Sequence, residues 1–140
     1  MITYTTTLDG VTSDHLRGGF FEGWPQPPSP ETHLRILNGS SHVVLAWEDG
    51  RVVGFINALS DGVLTAYLPL LEVLPSFRGQ GIGSELVRRM VAEIGPIYAV
   101  DLVCDDSLVP YYQRMGLMAV RGMVLRHYDS QSGLPDTGDR

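Results

Sequence analysis

The stretch Leu70-Leu71-Glu72-Val73-Leu74-Pro75-Ser76-Phe77-Arg78-Gly79-Gln80-Gly81-Ile82-Gly83-Ser84 constrains this chain more than any other. An apolar run stops at a proline, three glycines follow within five positions, and an amphipathic segment begins. In residues 83–94, Leu86, Val87, Met90, Val91 and Ile94 recur at helical spacing, with Glu85, Arg88, Arg89 and Glu93 opposite. Glycine lets the backbone turn tightly and approach a ligand closely. The free N–H groups and dipole of a helix N-terminus attract anions, and Arg78 adds a planar donor suited to phosphate. The plainer alternative is a glycine-rich turn that binds nothing. Among phosphate ligands, a dinucleotide fold fits poorly, because Gly79, Gly81 and Ser84 match its fingerprint only approximately and lie past mid-chain. A nucleoside-triphosphate loop would need a lysine, and the chain has none.

The rest of the chain alternates strand and helix signals. Residues 2–8 read as a first strand and 13–21 as a short helix capped by Ser13 or Asp14. Pro25, Pro27 and Pro28 forbid regular structure until Ser29-Pro30-Glu31 opens a helix that stops at Asn38-Gly39. Residues 42–47 and 52–59 form a hairpin about Glu48-Asp49-Gly50. Residues 63–74 read as one long strand covered on both faces, and 97–103 as another. A short helix from Asp105-Asp106-Ser107 ends at Gly116, and residues 119–128 supply the last one or two strands. This order predicts an α/β domain around a mixed sheet, one unit over residues 1–128 with a loose polar tail over 129–140.

Composition narrows the function. All ten basic residues are arginine, against 16 acidic ones, and the net charge of −6 argues against nucleic-acid binding. Cys104 is the only cysteine, which excludes an internal disulfide and suits a reducing compartment. No signal-peptide pattern or membrane-length apolar run occurs, so the cytoplasm is the expected location. His15, His33, His42 and His127 are scattered without ligand spacing and predict no metal site. No G-x-S-x-G elbow marks a hydrolase.

Arg78-Gly79-Gln80-Gly81-Ile82-Gly83, led in by Val73-Leu74-Pro75, resembles the acyl-CoA-binding motif of the GNAT superfamily of N-acyltransferases. The stretch Tyr111-Tyr112-Gln113-Arg114-Met115-Gly116-Leu117 is similar to that family's terminal signature, with Leu117 in place of the commoner phenylalanine. The likeness covers about residues 43–128. It implies a mixed, mostly antiparallel twisted sheet of about six to seven strands with about four helices, splayed between the fourth and fifth strands. It further implies transfer of an acetyl group from acetyl-CoA to a primary amine of a small molecule or peptide, by direct attack on the thioester.

By the same resemblance, Arg78, Gly79, Gln80, Gly81, Ile82, Gly83 and Ser84 hold the pyrophosphate, while Leu71 and Val73 pair with the pantetheine arm. The Val73 N–H would face the developing oxyanion. Tyr112 is the implied general acid for the departing thiolate, although helical spacing alone does not separate it from Tyr111. The position at which relatives often carry a carboxylate base holds Tyr67, leaving Glu72 or an ordered water as base. Phe20, Phe21, Glu22 and Trp24 either face the acceptor or pack the first helix. A homodimer through an edge near residues 118–124, a non-catalytic acyl-CoA sensor and a nucleotide-binding domain complete the expectations.

Overall fold

The computed structural model describes residues 1–138; the last two residues of the expected 129–140 tail lie outside the described residues. The elements are β1 (Thr3–Thr5), α1 (Pro30–Asn38), β2 (His42–Glu48), β3 (Arg51–Ser60), β4 (Thr65–Tyr67), β5 (Leu71–Val73), α2 (Ile82–Ile94), β6 (Ala99–Asp101) and α3 (Val109–Gln113). The sheet runs β1-β2-β3-β4-β6, with β5 also paired to β3. Every pairing is antiparallel except β4 with β6.

β2 and β3 form the centre, and their two faces carry separate cores. Val44, Ala46, Val53 and Ile56 pack beneath Leu86 and Met90 of α2. Val43, Leu45, Val52 and Phe55 face Leu16, Phe21 and Leu37 on the other side. The alternation slips at Val53, where the β2–β3 register shifts and both Val52 and Val53 stay buried. Gly54 follows. A Cβ there would meet Ile82 and Leu86 at 3.2 Å and the Glu72 carbonyl at 3.3 Å, so α2 is seated close on the sheet and a side chain at this position would have to push it back by a few tenths of an ångström.

Three sequence expectations change. The helix expected over 13–21 is only a 3-10 turn, Ser13–Leu16. The single strand expected over 63–74 is broken between Tyr67 and Leu71. Pro69 sits inside the break, where it cannot donate to a ladder. Buried Asn57 repairs the gap: its N–H donates to the Leu70 carbonyl (3.2 Å), its Oδ1 accepts from the Leu70 N–H (3.1 Å), and its Nδ2 donates to Ser40 Oγ (3.0 Å). Finally, residues 119–128 form no strand; among the described residues no hydrogen bond involves 118–126, so β6 is the sheet's edge. An alternating sequence pattern makes a strand only where a ladder is available. No helix among the described residues is long and apolar enough to cross a membrane.

Candidate active site

The break between β4 and β5 opens the sheet. β4 runs parallel to β6 as far as Asp101, whose carbonyl accepts from the Leu68 N–H at 2.9 Å. Beyond it, β5 stays with β3 while Leu102–Asp105 diverge, as the expected splay requires. The gap is a groove of about 580 Å³, walled by Leu70, Leu71, Glu72, Leu102, Cys104, Asp105 and Tyr112, with Trp24 and Tyr67 at its rim.

Antiparallel alternation decides where the β5 backbone points. Asn57 N–H bonds the Leu70 carbonyl, and Leu74 N–H bonds the Val53 carbonyl. Positions 70, 72 and 74 therefore face β3, so the N–H and C=O groups of Leu71 and Val73 turn toward the gap. The Val73 carbonyl there accepts from Arg78 Nε at 3.1 Å.

After the 3-10 turn Pro75–Phe77, the chain enters α2 through Gly79 (φ +78°) and Gly81 (φ +82°). Both lie in the left-handed region, where a side chain is strained. Gly81 caps α2 without a side-chain bond, so the N–H groups of Ile82, Gly83 and Ser84 have no acceptor within the helix. Ser84 Oγ and the Tyr111 hydroxyl share a hydrogen bond of 3.1 Å. A Cβ on Gly83 would meet that same hydroxyl at 3.1 Å, so the loop fits closely against Tyr111.

The two tyrosines separate in space. Tyr111 stands over the start of α2, whereas Tyr112 is buried and lines the groove, its ring 5.0 Å from that of Tyr111 in edge contact. No described residue hydrogen-bonds the Tyr112 hydroxyl. Burial, followed by Tyr111 and Cys104, pushes its pKa up to about 12. The group is neutral at every physiological pH.

Glu72 joins the groove to the 20–28 segment. It lines the groove, and its Oε1 accepts the Phe21 N–H at 2.7 Å. Burial raises its pKa; the Phe21 N–H and Arg78 pull it back. Phe21 is a non-glycine residue at φ +66°, held there by the Glu72 carboxylate and by its own buried ring. Of the aromatic residues in this segment, Phe20 and Phe21 pack edge-on against Phe55 and His33, while Trp24 reaches the groove. Glu22 lies 3.7 Å from Arg78 rather than in the groove. Asp105 caps the following turn through its carbonyl alone. Sequence reasoning missed Asn57, although a lone amide inside the apolar run of β3 was a signal for it. It also missed Val124, Arg126 and Tyr128, which line the groove from the far side.

Among the described residues no group of three or more histidine, cysteine or carboxylate side chains could hold a metal ion. The model of the acetyltransferase (GNAT) family matches residues 11–117. A candidate acetyltransferase of Deinococcus radiodurans R1 superposes with a TM-score of 0.93 at 55% identity, covering 96% of this chain and 94% of that one. The serotonin N-acetyltransferase of Mesocricetus auratus is 39% identical over 95 positions, covering 54% of this chain and 46% of that protein. The chain thus spans about half the length of that relative. An aminoglycoside N-acetyltransferase crystallised with CoA shares the fold, with a TM-score of 0.66 at 18% identity, covering 91% of this chain and 94% of its own.

Proposed function

This chain belongs to the acetyltransferase (GNAT) family and is an acyltransferase, and from that premise we propose that it moves an acetyl group from acetyl-CoA to a primary amine of a small molecule or a peptide. The observation carrying this reading is that three features follow one another along the opened sheet: the backbone of Leu71 and Val73 turned away from β3, the unpaired amides at the start of α2 just after β5, and Tyr112, which lines the groove together with Leu71.

In this reading residues 1–128 are the catalytic unit and 129–140 an appended segment. The amides of Ile82, Gly83 and Ser84 bind the donor pyrophosphate, with Gly79, Gln80 and Gly81 shaping the cradle. Arg78 leaves Glu22 and adds its charge. The pantetheine arm pairs with Leu71 and Val73 as an added strand. The neutral amine attacks the thioester carbonyl, forming the C–N bond as the oxygen takes up charge beside the Val73 N–H. Collapse breaks the C–S bond. The amine's proton leaves to Glu72, directly or through water, and the Tyr112 O–H donates to the departing sulfur. A free thiol and an N-acetylated amine result. Glu72 keeps one oxygen on Phe21 and has the other for the proton.

The direct test is thiol release from acetyl-CoA across a panel of arylalkylamines, polyamines, amino sugars and peptide N-termini. Acceptor-dependent release with one class supports the reading. Donor binding with no release from any class would leave a non-catalytic acyl-CoA binder instead.

A further inference from the structure

The charges that line the groove carry information about the acceptor. Arg126 is the only basic side chain among the lining residues, which include two carboxylates, Glu72 and Asp105. Elsewhere the chain engages its own arginines: Arg17, Arg78, Arg88 and Arg89 each pair with a carboxylate. Arg126 has no ion pair and no hydrogen bond among the described residues. A guanidinium stays charged at every physiological pH, and its planar fork of donors fits a carboxylate or a phosphate. Left unpaired in a groove, it is placed to take that group from a ligand.

The carboxylates supply the other half. Glu72 holds the Phe21 N–H with one oxygen, and the Asp105 side chain makes no hydrogen bond among the described residues. An amine that arrives protonated finds its counter-charge there. A groove charged in this way discriminates among amines. A polyamine would bring a second cation toward Arg126. An arylalkylamine or a peptide N-terminus would displace water from the guanidinium and give it no partner in return. Trp24 and Tyr67 at the rim offer flat apolar surface to the rest of the molecule. The groove, about 580 Å³, must also admit the acetyl end of the donor, which keeps the acceptor small.

We propose that the acceptor is a small amine bearing a carboxylate or phosphate group, a free amino acid being the simplest case, and that Arg126 selects it by binding that anion. The inference rests on the acyl-transfer reading above, in which this groove holds the acceptor.

Matched pairs test it: L-phenylalanine, L-methionine and L-tryptophan, each against its own amide, and O-phosphoethanolamine against ethanolamine. The carboxylate of an amino acid holds the proton on its amine, so intrinsic reactivity alone favours the amide. Thiol release from acetyl-CoA gives the acceptor KM, and calorimetry on the CoA-loaded protein gives a Kd that needs no turnover. In at least one pair the anionic member is expected to show both values lower by about tenfold or more, the scale of one hydrogen bond to a charged group. Arg126→Gln should erase the preference, and Arg126→Glu should reverse it, which a loss of structure does not do. A preference confined to the amino acids assigns the site to carboxylates, and one confined to O-phosphoethanolamine assigns it to phosphate esters. Equal values within every pair, no binding of any member, or a preference that survives Arg126→Glu overturns the inference; thiol release with other amines then leaves acyl transfer standing. Anion-dependent binding with no thiol release from any amine keeps the Arg126 site and overturns acyl transfer instead.

Discussion

The groove wall of Leu71, Glu72 and Tyr112 stands on the cluster packed beneath α2, whereas the wall of Val124, Arg126 and Tyr128 stands on an arm that, over residues 118–126, makes no hydrogen bond among the described residues. The first wall is fixed by burial and by the close seat of α2 on Gly54. The 20–28 segment lies between these extremes, tied to the first wall through the Glu72–Phe21 bond. Donor-side chemistry demands fixed geometry, since an oxyanion donor misplaced by an ångström loses most of its effect. An acceptor wall can be looser. Variants on the first wall should therefore change turnover, and variants farther from it should change acceptor affinity.

The largest effect is expected at the fixed wall. Tyr112→Phe keeps the ring in its buried site and removes only the hydroxyl, so kcat should fall by ~10² or more with acetyl-CoA affinity nearly intact. A phenylalanine variant at full rate would show that the wall supplies shape without proton donation.

Next comes the core beneath the 20–28 segment. His33 is 1% exposed among Phe20, Phe21 and Phe55, its Nε2 has no partner, and burial lowers its pKa from 6.5 to about 4. The fold favours the neutral ring, because protonation would bury an unpaired charge. Its contribution to stability is complete above the unfolded value and is lost as pH falls from 6.5 toward 4. The loss amounts to about 3 kcal/mol. Denaturant unfolding at pH 7 and pH 4 should show that difference, and His33→Leu should remove most of it. An equal acid loss in the leucine variant would mean other groups carry it.

The smallest effect is expected at the seam. Glu72→Gln retains an acceptor for the Phe21 N–H but cannot take a proton, so the segment keeps its conformation. If Glu72 is the base, kcat/KM falls by ~10-fold or more and its acid limb disappears; a silent substitution assigns the proton to water.

These contrasts also mark what the sequence reveals. The glycine loop and α2 were legible because both are local: the helical period runs through residues 82–94, and the left-handed turns fall on glycines. Tyr112 needed the family likeness, since Tyr111 shares its helix and only tertiary packing sends the two hydroxyls to different places. The strand break was signalled by Pro69 and hidden by the apolar residues around it. The Glu72–Phe21 bond spans 51 residues, and no periodicity encodes such a contact. For residues 119–128 the alternation was real, but the chain offers them no partner strand of its own.

The central claim is that the loop from Arg78 to Ser84 binds the acyl donor, and titration calorimetry with acetyl-CoA, for the wild type and for Gly81→Asp, tests it most directly. Gly81 has φ +82° at the cap of α2, so aspartate there adds both strain and like charge beside the pyrophosphate. The account predicts micromolar binding to the wild type and at least ~10²-fold weaker binding to a folded Gly81→Asp variant. Equal affinity in both, or none in the wild type, would contradict it.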